Sequence, residues 1–168
     1  AGAFSGDHAG LALGTTSVIV THLDRKKTDP IHTLFTMPSP LGDSHLLSAE
    51  NGVAGVAVHY VCDSIVFPDD PFSTPEQVDR YEAFNDAVTR SDAGAGGALF
   101  LPWLRGSLAP TADPRMRGGF LNIGLDTTRN DLARATFEGV ALNLRWMRKP
   151  VESFVKRRFS HFVFYGGG

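Results

Sequence analysis

The chain has 168 residues, of which 42% are hydrophobic and 20% charged, with a formal net charge of −2. That is the length of about one domain and the balance of an ordinary globular protein. The near-neutral charge without like-charge blocks argues against nucleic-acid or membrane-surface binding, and no apolar run is long enough to cross a bilayer.

In chain order, Leu11 to His22 reads as a β-hairpin. Leu11-Ala12-Leu13 enters Gly14-Thr15-Thr16, and Ser17-Val18-Ile19-Val20-Thr21-His22 returns with β-branched residues. Asp24-Arg25-Lys26-Lys27 reads as a solvated turn. Ile31 to Met37 is a further short strand stopped by Pro38 and Pro40, with Leu46-Leu47-Ser48 placed to pair beside it.

From Asn51 to Phe67, Val53, Val56, Ala57, Tyr60, Val61, Ser64 and Ile65 recur at three- and four-residue steps. This predicts an amphipathic helix with Cys62 near its buried edge. Pro68-Asp69-Asp70-Pro71 ends it. Thr74-Pro75-Glu76-Gln77 offers an N-cap threonine and a proline at the first helical position for a second helix, which runs to about Arg90.

After the Ser91–Gly97 loop, Ala98 to Leu101 reads as a buried strand. Arg105 to Gly119 is a long Pro/Gly-rich loop of the kind that often carries function. Phe120 to Leu125 is extended. Thr128-Arg129-Asn130-Asp131 caps a third helix, Leu132 to Met147, whose inner face includes Leu132, Ala135, Val140 and Leu144. Ser160 to Tyr165 is a last strand running into Gly166-Gly167-Gly168. Leading strands followed by alternating helices and strands describe an α/β layer fold with a mixed sheet.

The chemistry-bearing residues are few. A Gly14-Thr15-Thr16-Ser17 turn can wrap a phosphate through close backbone approach and hydroxyl donors, although the same tetrapeptide also serves as a plain hairpin turn. A strand ending in glycines lets a nucleotide lie against bare backbone. The single cysteine, Cys62, cannot form an internal disulfide, which suits a reducing cytosol and a cytoplasmic protein. The six histidines show no metal-ligand spacing, so no metal site is expected. Trp103 and Trp146 read as packing residues, and Glu138 as a hydrogen-bonding residue on the third helix.

Five segments, taken in order, carry a resemblance. They are Leu13–Val20, Leu99–Gly106, Asp113–Phe120, Arg134–Ala141 and Phe162–Gly168. Their sequence is similar to the C-terminal half of the FGGY carbohydrate kinases, closest to xylulokinase-like members. The resemblance covers nearly the whole chain. It implies the ribonuclease-H-like fold of the actin, Hsp70 and sugar-kinase superfamily, with a mixed β-sheet flanked by helices. Residues 1–168 would be part of a C-terminal kinase domain, without the N-terminal domain and the final helical tail.

The resemblance also implies a chemistry: transfer of the γ-phosphoryl group of ATP, with Mg²⁺, to a hydroxyl of a sugar such as xylulose or a related ketose or polyol. Gly14, Thr15 and Thr16 match the second phosphate-binding hairpin. Gly166, Gly167 and Gly168 match the adenosine motif, and Thr127 stands where the family often lines the adenine side. Thr128 and Asn130 share that place, with helix capping as their other reading.

Arg117-Gly118-Gly119 matches the family's Arg-Gly before a strand, with a tight turn as its other role. Gly106-Ser107-Leu108-Ala109-Pro110 departs from the Gly-Glu-Arg-Thr-Pro run common in that loop. Gly6-Asp7 looks like the catalytic Gly-Asp pair, but only seven residues separate Asp7 from Gly14, too few for the helix that intervenes in the family. Asp7 is therefore read as a turn residue and Ala1-Gly2-Ala3-Phe4 as the end of that helix. The catalytic aspartate is then expected upstream of residue 1.

On this reading the chain supplies the nucleotide side of a cleft, is inactive alone, and exposes apolar surface through which it self-associates or dimerises. The alternative is a non-enzymatic, actin-like nucleotide-binding or interaction module.

Overall fold

The computed structural model describes residues 6–70 and 79–167. The expected Thr74–Gln77 cap, the Ala1–Phe4 segment and Gly168 lie outside these residues. A six-stranded mixed sheet is built from β1 (His8–Leu13), β2 (Ser17–Leu23), β3 (Thr28–Asp29), β4 (Leu34–Pro38), β5 (His45–Asn51) and a later strand, β8 (His161–Tyr165). Its order is β3-β4-β5-β2-β1-β8, antiparallel throughout except for the parallel pair β1 and β8.

The hairpin and the Leu46–Ser48 pairing expected from β-branched alternation are present, with β5 inserted between β4 and β2. One sheet face buries Ala9, Leu11, Ile19, Leu34, Leu47 and Ala49. The other leaves Phe35, Met37, Val163 and Tyr165 exposed.

The buried face packs on α3 (Arg129–Val155), through Leu144, Met147, Val151 and Phe154. This helix is longer than the expected Leu132–Met147. At 27 residues it spans about 40 Å. It continues through Pro150, whose missing N–H forfeits one helical hydrogen bond, because Val151 and Phe154 beyond it are buried against the sheet. Thr128 is its N-cap in a capping box with Asp131, as the sequence signals. Leu132 and Val140 are only half-buried; Ala135, Thr136, Gly139 and Asn143 fill the inner stripe instead.

The far end of α3 is tied down by two basic residues. Lys27 Nζ donates to the Phe154 carbonyl and sits 4.4 Å from the centre of its ring, so it is not merely part of a solvated turn. Arg157 Nη2 donates to Thr21 Oγ1 at 3.0 Å and to the His22 carbonyl at 2.5 Å.

A second core lies around the N-terminal half of α3. It gathers α1 (Gly55–Val61), a single π-helical turn over Cys62–Val66, α2 (Arg80–Thr89) and the small antiparallel pair β6 (Leu99–Leu101) and β7 (Gly119–Leu121). The expected Asn51–Phe67 helix is corrected in two ways. Asn51 is the last residue of β5, paired with Ser17, and the helix begins four residues later. The π turn, closed by Phe67 N to Cys62 O at 2.8 Å, then shifts the buried stripe. Ala57, Val61, Cys62 and Val66 are buried, whereas Tyr60, Ser64 and Ile65 face outward.

Cys62 is fully buried, and burial pushes its thiol up, with Asp63 adding to the effect. The α2 helix starts at Arg80, where the Asp79 side chain accepts from Tyr81 N and Glu82 N. In β6 only Phe100 is buried, and the strand pairs with β7 rather than with the main sheet. Among the described residues, no helix is long and apolar enough to cross a membrane.

Candidate functional site

The parallel pairing of β1 and β8 brings two glycine-bearing segments to one sheet edge. Leu11 pairs with Phe164 and Ala12 with Tyr165, so Leu13-Gly14 and Gly166 leave the sheet side by side at the carboxyl ends of their strands. Gly166 has φ +127°, and a Cβ on it would lie 1.9 Å from the Leu13 carbonyl oxygen. Only glycine lets β8 exit this close to β1. Gly166 and Gly167 are both exposed.

The hairpin Gly14-Thr15-Thr16 is a tight loop in which Gly14 N donates to Thr16 O at 3.0 Å. It is gripped from behind by the start of α1. Gly55 N donates to Gly14 O at 2.9 Å, while Ala54 N and Val56 N donate to Thr15 O at 3.1 and 3.2 Å. These bonds satisfy amides that a helix start would otherwise leave unpaired. Thr15 is exposed at the tip and Thr16 half-buried. The next residue, Ser17, is buried, and its Oγ has no hydrogen-bond partner among the described residues.

Asn51, opposite Ser17 in register, is also buried. Its Oδ1 accepts from Val53 N and its Nδ2 donates to Ala109 O, both at 3.4 Å. Ala109 N donates to Glu50 O at 2.9 Å, so the long 105–119 loop is moored directly under the hairpin. Sequence reading missed Gly55 and Asn51 as site supports, since helical periodicity assigned both to one helix. The signal available was the break at Asn51-Gly52, residues that favour turns.

Thr127 is placed differently. Its Oγ1 accepts from Gly124 N at 2.9 Å and its N donates to Gly124 O at 3.2 Å. These bonds close its own turn ahead of α3 and reach neither the hairpin nor Gly166. Thr128 caps the helix. The Arg117 guanidinium folds back onto the carbonyls of Pro114 and Met116, in keeping with a turn role. Glu138 accepts from Gly94 N at 3.0 Å and from Arg134 Nε at 2.7 Å, which clips the 91–97 loop to α3. Trp103 Nε1 donates to Asn143 Oδ1 at 3.2 Å.

Asp7 is a turn residue at the opposite end of β1. The six residues of that strand put it about 20 Å from Gly14. The Ser160 hydroxyl, and after it His8, holds its carboxyl well below the usual range.

Five strands paired antiparallel and joined to a sixth that runs parallel to β1, with a long helix across one face, define a ribonuclease-H-like domain of the actin, Hsp70 and sugar-kinase superfamily. The pattern of the C-terminal domain of the FGGY family of carbohydrate kinases matches residues 9–162, and the chain belongs to that family.

It is 27% identical over 135 residues to a gluconokinase of Bacillus subtilis, covering 80% of this chain and 26% of that protein. Among solved structures, the gluconate kinase of Lactobacillus acidophilus superposes with a TM-score of 0.79 at 27% identity, over 98% of this chain and 31% of the other. The xylulose kinase of the same organism gives a TM-score of 0.78 at 27% identity, over 98% and 31% respectively. The chain therefore spans about a quarter to a third of the length of these relatives.

Proposed function

We propose that this chain forms the nucleotide-side wall of the cleft of an ATP-dependent sugar kinase, which passes the γ-phosphoryl group of ATP to a sugar hydroxyl. The observation that supports it is the meeting of the Gly14–Thr16 hairpin and the Gly166–Gly167 exit on one edge. The backbone at Gly166 is exposed and carries no side chain to cover it, which suits a flat nucleoside lying against it. The hairpin offers glycine and two hydroxyls to phosphate oxygens. Thr127, whose Oγ1 and N are bonded to Gly124, is an expected contact that this proposal does not use.

The hydroxyl oxygens of Thr15 and Thr16 suit Mg²⁺, a hard cation that takes oxygen ligands and screens phosphate charge when bound. The helix start at Ala54–Val56 fixes the hairpin by its carbonyls, so donors are aligned before a ligand arrives. The acceptor hydroxyl needs a general base. Asp7 stands at the wrong end of β1 for that role, and the base is proposed to come from another segment of the kinase. The acceptor is a sugar or sugar acid of the class named for the relatives, xylulose or gluconate.

Calorimetric titration of the chain with Mg·ATP tests the reading. Weak binding is expected, reduced several-fold in Thr15→Ala, whose side chain is exposed and whose loss leaves the fold intact. Equal affinity in the two proteins, or no ATP binding at all, would sink it. A coupled ADP-release assay with xylulose and with gluconate is expected to stay at blank for the chain alone. Turnover above blank would overturn the assignment of the base to another segment. Membership of a kinase family favours this reading over a non-enzymatic actin-like module.

A further inference from the structure

At the amino ends of β1 and β8, opposite the edge just described, the fold assembles a second polar cluster. His8 and His161 are Cα partners in register. Their rings stack with centroids 4.7 Å apart and planes 12° from parallel. Asp7 reaches both. Its Oδ1 lies 2.8 Å from His8 Nδ1, and its Oδ2 lies 3.7 Å from His161 Nδ1. Ser160 Oγ donates to Asp7 Oδ2 and is 2.7 Å from His161 Nδ1. The backbone fixes the set as well, since Ser160 N donates to Asp7 O at 3.1 Å and His161 N to the same oxygen at 3.5 Å.

We propose that Asp7, His8 and His161 form a binding site for a divalent transition-metal ion of the Zn²⁺ class. One potential ligand atom from each lies within 4.8 Å of the others. Ligands bound to one tetrahedral ion at about 2.0–2.1 Å stand about 3.3 Å apart. Asp7 turns one oxygen to each ring, Oδ1 to His8 at 2.8 Å and Oδ2 to His161 at 3.7 Å, distances on either side of that value. The two rings must turn out of their stack for both Nδ1 lone pairs to meet at one ion, a rotation open to His161, whose side chain is 65% exposed. The fourth position is open to water.

Coordination through Nδ1 requires each ring to carry its proton on Nε2, a tautomer that neutral imidazole reaches through solvent. Two imidazoles and one carboxylate select Zn²⁺, Co²⁺, Ni²⁺ or Cu²⁺ over Mg²⁺ or Ca²⁺.

The site is separate from any ion that accompanies a nucleotide, because the length of β1 divides the two by about 20 Å. It is also invisible to sequence spacing, since its histidines are 153 positions apart and meet only through strand pairing. Its consequence is a clip on the two strands whose other ends carry Gly14 and Gly166.

The test is titration of the chain with Zn²⁺ against a chromophoric chelator, and with Co²⁺ followed by visible absorption. Saturation at one ion per chain is expected, weakened about 10-fold or more in His8→Ala and in His161→Ala. His32→Ala is the control, because His32 pairs with Asp29 at 2.7 Å without a second histidine, and it is expected to bind as the unmodified chain does. Circular dichroism checks that the variants fold. If a variant does not fold, paramagnetic Co²⁺ shifts of the imidazole resonances in the unmodified chain decide, and they must single out His8 and His161. No saturable binding, unchanged affinity in His161→Ala, an equal loss in His32→Ala, or Co²⁺ shifts on other histidines would each overturn the proposal.

Discussion

Replacing Gly55 with alanine sets two physical effects against each other. Glycine inside a helix costs up to about 1 kcal/mol relative to alanine, so propensity alone makes Gly55→Ala stabilising. The structure gives the opposite sign. A Cβ at position 55 would lie 2.4 Å from Gly14 O and 3.1 Å from Gly14 C, both backbone atoms that cannot rotate aside. A carbon-to-oxygen contact needs about 3.3 Å, so α1 must retreat from the hairpin by about 0.9 Å.

That retreat stretches the three bonds from Ala54, Gly55 and Val56 to the hairpin carbonyls. At about 0.5–1.5 kcal/mol each, they outweigh the propensity gain. The net loss is about 1–3 kcal/mol, or about 3–10 °C in melting temperature for a chain of this size. Urea unfolding and a thermal melt measure the total, and amide hydrogen exchange at positions 54–56 localises it. A variant that melts at or above the unmodified chain, with those amides still protected, would refute the reasoning.

Other expectations rest on the carboxylates. Asp131 accepts from Ser91 Oγ at 2.6 Å, and from Thr128 N at 2.8 Å and Thr128 Oγ1 at 2.6 Å. Asp131→Ala is therefore expected to cost about 1–2 kcal/mol in urea unfolding, and a loss within error would mean that the cap is not holding α3. The Ser91 hydroxyl, then Thr128, holds the Asp131 carboxyl below its ordinary value of 3.8. Glu152 is pushed up by burial, but the Phe159 N–H and Arg148 outweigh this and leave it below 4.5.

A depressed folded-state pKa means the unfolded chain takes up protons first as pH falls. The stabilisation from both groups is thus complete above about pH 4.5 and lost as pH drops through the folded-state values. Urea midpoints measured from pH 7 down to pH 3 should show that decline, and Glu152→Gln should flatten part of it. An unchanged slope in that variant would exclude Glu152 as a contributor.

The legible part of the fold was the part set by local rules. The hairpin at Gly14–Thr16, the capping box at Thr128 and Asp131, and the strand before Gly166 follow from turn chemistry, side-chain caps and β-branched alternation, each within a few residues. The Cys62–Val66 π turn was not legible, because an i-to-i+5 bond leaves the apolar residues at helix-like steps while rotating which of them face inward. The same limit hid the extension of α3. Pro150 reads as a stop, and only the sheet packed against Val151 and Phe154 makes continuing worth the lost bond. The candidate site was half legible: the glycines and threonines of the hairpin and the Gly166 exit stood out by type, whereas Thr127, expected beside them, closes a separate turn. The residues that hold them, Gly55 and Asn51, act through contacts that no local pattern encodes.

These supports also explain why the site lies where it does. The two cores are separate clusters, one beneath the sheet and one around α1, α2 and β6, with α3 running through both. The hairpin belongs to the first, being the link between β1 and β2, yet its carbonyls are held by the start of α1, which belongs to the second. A ligand resting on Gly14–Thr16 would therefore touch the seam between the two halves rather than either body alone. Contacts made there tighten both together, and loosening α1 should weaken a ligand without any change in the residues that touch it. Gly55→Ala separates this from a purely local role, since the substitution leaves Thr15, Thr16 and Gly166 in place. If ATP affinity follows the stability of the α1 contact, the seam carries the site. If affinity is unchanged while amides 54–56 lose protection, the hairpin alone carries it.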